Sequence, residues 1–327
     1  MPFGLVASLL VAAQPLPGWG LRLHPWDDLL GEDEDPARFT TLFASPEDIR
    51  WPAKLTGRNL VLAGDSNDRN LLLYVCGALG AGVEPVKSAE LLPGSPYAGE
   101  QTIRFPKRAP QLLCHVEAHN ASIMFLHHFG LMGLPPEPNW HARCLQRRKS
   151  HLPQVNGTPT RMHASELSEF LWPGIIERAL PKRPVVFMTQ SSMWDSVCYH
   201  QSNKSIPGPL TESTLRSWSW RERAGEYFAA VHRSRVPIER MLWRTNPDCP
   251  LGVTIVTSAS EAQRREIYGL QASLPFPLEV VDWRAQYVVK RPEQCKNVHF
   301  QSEGYEALWE SLGAVLDGRL PPPDGRV

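Results

Sequence analysis

A serine hydroxyl attacks a carbonyl only when a base stands ready to take its proton, and the base is usually a histidine. Gly64-Asp65-Ser66 follows directly on the apolar run Asn59 to Ala63 and precedes a helical pattern over 67–79. A serine at such a junction has its hydroxyl at the edge of a sheet. Its own N–H lies at a helix N-terminus, aimed at developing negative charge. The same three residues also read as a plain helix start, with Asp65 or Ser66 as N-cap. The base that fits is His299, in Cys295-Lys-Asn-Val-His-Phe300. It stands out among eleven histidines by position, because it falls after the last strand and just before the last helix. In a doubly wound sheet that loop returns to the strand-end face where Ser66 sits.

The elements that must bring these two together are legible in outline. Short apolar runs bounded by turn residues mark buried parallel strands at Asn59–Ala63, Ala121–Leu126, Pro184–Thr189 and Leu278–Val281. Leu251–Thr257 reads as a further strand, with Met241–Arg244 belonging to it or to another. Helical spacing of apolar residues covers 67–79, 164–180, 213–235, 259–273 and 304–316. Alternating strands and helices predict an α/β fold: a three-layer αβα domain around a mostly parallel sheet, flavodoxin-like in plan. Ligands of such sheets sit at the carboxyl ends of the strands. The residues just past those ends are Gly64-Asp-Ser66, His127-His128-Phe-Gly130, Gln190 to Asp195, and Asp282.

Taken in order, these blocks resemble the GDSL/SGNH hydrolases, and more closely their PC-esterase and trichome-birefringence-like branch. Val61-Leu-Ala-Gly-Asp-Ser66 with Arg69-Asn70 resembles that branch's GDS-x-x-R-N, and Trp243-Arg244-Thr245 its W-R-T segment. Ser192-Met-Trp-Asp195 resembles the S-x-W-D of PC-esterases, while Val281-Asp-Trp283 and Val298-His-Phe300 resemble the closing strand and histidine block. The resemblance spans residues 58–316 and implies an SGNH-hydrolase fold with Ser66 as nucleophile and His299 as base. It also implies an O-acylated, typically O-acetylated, glycan or another small ester as substrate or product, handled through an acyl-enzyme. Hydrolysis and acyl transfer would use the same residues.

One position departs from that pattern. The family places an acid three residues before the histidine, and here that position is Lys296. A Ser–His dyad with a backbone carbonyl orienting the ring is one reading. Asp282 supplying the carboxylate from another direction is a second, set against a plain loop-anchoring aspartate. A catalytically inactive, secreted glycan-binding domain is the third. The general GDSL class also admits a lipid esterase. For the oxyanion, the resemblance points to the Ser66 N–H and to a glycine after the second block. Gly130 is the best match, unless it is a simple turn glycine. The family's Gly-x-Asn-Asp is absent, and Gln190, Ser192 or Trp194 occupies that region.

His127 and His128, with His115 and His119, could suggest a metal, but core or surface histidines are the better reading. Adjacent strand residues point opposite ways, and no acid is suitably spaced. No metal and no cofactor is expected. Trp194, Trp243 and Trp283 near strand ends could stack on a sugar, or simply pack in the core.

Composition bounds the rest. Hydrophobic residues make up 42% of the 327, enough for a sizeable core, and 34 basic residues balance 34 acidic ones. A net charge of zero leaves no electrostatic footprint for nucleic acid. The apolar run Phe3–Ala13 is too short to span a bilayer but has the length of a signal-peptide core, so residues 1–13 read as a leader and the chain as secretory. Residues 14–57 read as an irregular N-terminal segment, 58–316 as the domain and 317–327 as a proline-rich tail. Six cysteines without a C-x-x-C pair fit disulfides, with Cys249–Cys295 the best candidate pair. Asn120, Asn156 and Asn203 head glycosylation triplets.

Overall fold

Along the strand Asn59–Gly64 (β1) every residue is buried, and alternate side chains enter two different cores. Leu60 and Leu62 join one apolar cluster, Val61 and Ala63 the other. That period of two is what a strand covered on both faces requires. The computed structural model describes residues 49–86, 88–95, 103–106, 110–128, 130–131, 153–155, 158–159, 162, 164–191, 195, 211–217, 219–247, 254–287, 295–296 and 299–319. The proposed leader, residues 14–48, and the tail beyond 319 lie outside the described residues, as do Asn156 and Asn203.

β1 belongs to a seven-stranded sheet with Val83–Val86 (β2), Gln111–Val116 (β3), Ala121–His127 (β4), Val185–Thr189 (β5), Ile238–Arg244 (β6) and Glu279–Val281 (β7). The spatial order is β7-β6-β5-β1-β4-β3-β2. β7, β6, β5, β1 and β4 are mutually parallel, while β3 runs antiparallel to β4, and β2 antiparallel to β3. Counted along the chain, the five parallel strands stand in the order 2-1-3-4-5, the flavodoxin-like arrangement. The order reverses between β1 and β5, so the ligand-binding crevice of this topology opens beyond their carboxyl ends.

Helices cover both faces. Ser66–Ala78 (α1) and Ser302–Leu316 (α5) pack on the face of Leu60 and Leu62. Trp172–Ala179 (α2), Trp220–Arg233 (α3) and Thr254–Gln271 (α4) pack on the face of Val61 and Ala63. The result is a three-layer αβα domain. Two small additions flank it: a four-stranded sheet of two-residue strands, and an antiparallel ribbon of Cys295–Lys296 (β8) with His299–Phe300 (β9). A disulfide joins Cys76 of α1 to Cys114 of β3, with Cα atoms 6.5 Å apart. Cys249 and the Cys295 side chain lie outside the described residues, as does any bridge between them. No described helix is long and apolar enough to cross a membrane.

The strand expected at Leu251–Thr257 is not there. Thr254–Gln271 is a helix, and Ile238–Arg244 takes the place in the sheet between β5 and β7. The β-branched residues of Thr254-Ile-Val-Thr257 favour a strand locally, but tertiary placement overrides so weak a preference.

Candidate active site

Ser66 is the first residue of α1 and is nearly buried, at the point where β1 ends. Asp65 is the N-cap, as the cap reading of this segment required. Its carboxylate accepts from the Asn67 amide at 2.8 Å, and Asp68 Oδ2 accepts from the Asp65 amide at 3.1 Å. This reciprocal capping box fixes the turn that carries Ser66. It also accounts for Gly64, where a Cβ would overlap the Asp68 carboxylate.

Asp68 is held in turn by Arg244, at the end of β6. The guanidinium grips it with both arms, Nε to Oδ1 and Nη2 to Oδ2, each at 2.7 Å. Nη2 also reaches Asp65 Oδ1 at 3.4 Å, and Nη1 donates to the Asn246 side chain. Gln190, just past β5, donates to Asp68 Oδ2 at 3.2 Å. Arg244, Asp65, Asp68 and Gln190 are all fully buried. Burial pushes the Asp65 carboxyl up to about 6, against the opposing pull of the Arg244 charge. The Gly-Asp-Ser block and the Trp-Arg-Thr block, nearly 180 residues apart, therefore form one ionic network beneath the start of α1.

His299 lies in β9, where it is the cross-strand partner of Lys296. The described part of His299 is its backbone. β9 packs against α1 and α5. Tyr305 of α5 ties these elements together. Its buried hydroxyl donates to Asn67 Oδ1 at 3.1 Å and accepts from Asn70 Nδ2 at 3.0 Å. The first turn of α5, which begins two residues after Phe300, is thus bonded to the residue after Ser66. Tyr305 falls within the last predicted helix, and nothing in the sequence marks it.

Asp282 caps the short helix Trp283–Gln286. Its Oδ1 accepts from Thr245 Oγ1 at 2.9 Å and from the Ala285 amide at 3.3 Å. Its Oδ2 accepts from Arg264 at 2.8 Å. These bonds hold its carboxylate at the end of β7.

Gly130 has φ +86°, a conformation suited to glycine, and its amide donates to His128 Nδ1 at 3.1 Å. His128 is itself buried, with Nε2 3.2 Å from the Ala63 carbonyl. Since Nδ1 accepts, Nε2 carries the proton, and burial holds the ring neutral with its pKa lowered to about 4. The Gly130 N–H is therefore engaged by the histidine. Ser192 and Trp194 lie outside the described residues. Asp195 does not, and it gathers four donors. Leu131 N, Ser191 Oγ, Trp220 Nε1 and Gln263 Nε2 all donate to it, at 3.1, 2.8, 2.8 and 3.1 Å. Among the described residues no group of histidine, cysteine and acidic side chains could hold a metal ion.

Among the sequence candidates, then, Ser66 opens α1 and the His299 backbone lies in a strand that packs on that helix, while Asp282 bonds Thr245, Ala285 and Arg264. Of the residues not singled out, Asp68 had a signal: an acid three positions after a capping aspartate. Comparison with protein-family models and with curated proteins finds no match to this chain.

Proposed function

We propose that the chain is a serine-dependent acyl-ester hydrolase or O-acyltransferase of the GDSL/SGNH type, close to the PC-esterase branch. Ser66 attacks the ester carbonyl as His299 takes its proton; the ester C–O bond then breaks and the alcohol leaves with that proton; water or an acceptor hydroxyl, deprotonated by His299, then takes the acyl group from Ser66, which regains its proton. The substrate class is an O-acylated glycan. The observation that carries this reading is the position of Ser66. It opens a helix at the carboxyl end of β1, at the reversal point of the sheet, with the His299 strand packed on that same helix. The bonds around Asp282 favour the dyad form, in which a backbone carbonyl orients the imidazole.

A second reading, a secreted glycan-binding domain without catalysis, draws support from Lys296 opposite His299 in the ribbon. A cation there would oppose formation of an imidazolium. Hydrolysis of 4-nitrophenyl acetate by the purified protein, beside Ser66→Ala and His299→Ala, separates the two. Loss of turnover in both variants supports the enzyme. Equal rates in all three leave the binding domain.

A further inference from the structure

We infer that Tyr305 is a positioning residue for the Ser66–His299 pair, setting the distance between nucleophile and base through its hydroxyl. The inference rests on the function proposed above. A phenol has one hydrogen to donate and two lone pairs to accept with. Tyr305 donates to Asn67 and accepts from Asn70, both near the start of α1, while its own backbone lies in the first turn of α5, which begins two residues after Phe300. The ring is fixed independently of the hydroxyl, packed between Tyr74 and Trp283 with centroids 6.4 and 6.2 Å away.

The arrangement does what a bare apolar contact would not. Apolar packing between α1 and α5 is non-directional and tolerates small sliding. A hydroxyl on α5 bonded twice near the start of α1 fixes, to within a hydrogen-bond length, the separation of α1 from the helix that follows β9 directly. His299 has its backbone in a two-residue strand whose only described ladder partner is another two-residue strand, Cys295–Lys296. So short a ribbon has little stability of its own. Its register against α1 must come from outside, and Phe300 supplies it: its ring lies 4.6 Å from that of Trp283 and its Cβ abuts Gly304 of α5, whose Tyr305 hydroxyl is bonded to α1. Burial raises the Tyr305 phenol well above its ordinary range, so it stays protonated and the tether holds across physiological pH.

Tyr305→Phe removes the hydroxyl and keeps the ring. Two measurements test it. Hydrogen exchange followed by mass spectrometry reads the tether itself: exchange across 295–300 should quicken in Tyr305→Phe. Unchanged protection there overturns the tether whatever the activity. Steady-state kinetics on 4-nitrophenyl acetate, well below the melting temperature, read the role. Misplacing a catalytic group by an ångström costs on the order of 100-fold. The kcat of Tyr305→Phe should therefore fall roughly 10- to 100-fold with KM within about twofold of wild type. A merely structural hydroxyl would lower the melting temperature and leave kcat alone, and that outcome overturns the positioning role. Wild-type turnover no greater than that of Ser66→Ala overturns the proposed function and the positioning role with it, while the exchange result still decides the tether.

Discussion

Replacing Arg244 with methionine should destabilise the protein by about 3–5 kcal/mol, the usual cost of leaving a buried charge without its partner. The magnitude follows from the network. Arg244, Asp65 and Asp68 have no solvent-accessible side-chain surface. The guanidinium makes two bonds of 2.7 Å to Asp68, so its loss strands a carboxylate that water does not reach. Arg244→Lys should recover little, because an ammonium cannot meet both Asp68 oxygens at once. Asp68→Asn alone should also be costly. The double variant Arg244→Met/Asp68→Asn should cost less than the sum of the two, by roughly 2–3 kcal/mol. Urea titration followed by tryptophan fluorescence reads these differences. With a slope of about 3 kcal/mol per molar, 4 kcal/mol moves the midpoint by roughly 1.3 M. Acidification should narrow the gap between wild type and Arg244→Met, since the stranded carboxylates can then take protons. A single-variant cost below about 1 kcal/mol, or strictly additive costs, would refute the reasoning that one network joins the two sequence blocks.

His128, lowered to about 4 from an ordinary 6.5, binds fewer protons folded than unfolded between those values. Its contribution of about 3 kcal/mol is full above pH 6.5 and is lost as pH falls through 4, so the stability gap between wild type and His128→Gln should close by that amount from pH 7.5 to 4. Asp65, raised to about 6, acts in the opposite sense, imposing a cost above pH 6 that fades toward pH 4; Asp65→Asn should therefore stabilise most at neutral pH if the cap survives, as calorimetry across pH would show. Gly130→Ala should lower stability by more than about 2 kcal/mol, because φ is +86° and a Cβ would overlap the Asp195 carboxylate; a neutral melting temperature would contradict that geometry. Replacing both Cys76 and Cys114 with alanine opens a loop of 38 residues' separation and should cost about 4 kcal/mol in a chemical denaturation series.

The centre of the sheet was the legible part. β1, β4, β5 and β7 are short apolar runs with turn residues at their ends, because both faces are covered and every residue is buried or nearly so. The edge escaped. Val83-Glu-Pro-Val86 pairs on one side only and carries exposed Glu84 and Pro85, so it has neither an apolar run nor a clear alternation. β6 was blurred by the strand-like start of α4, and only the packed sheet decides between them. At the candidate site, Ser66 and His299 are singled out by type and position. The contacts around the start of α1 are not, because Arg244–Asp68 and Tyr305–Asn67 join residues 176 and 238 positions apart. Chain periodicity carries no information over such separations. The same holds for Asp282. Its position at a strand end fits a catalytic acid and a loop anchor equally, and its partners Arg264 and Thr245 lie 18 and 37 positions away, where nothing in the sequence marks them.

The most direct test of Ser66 as an activated nucleophile is covalent labelling. Incubation with a fluorophosphonate, followed by peptide mass spectrometry, should place one phosphonyl adduct on Ser66. The adduct should disappear in Ser66→Ala and form at least about 100-fold more slowly in His299→Ala, where no base takes the proton. Absence of the adduct in the wild type, or labelling that His299→Ala leaves unchanged, would contradict the account.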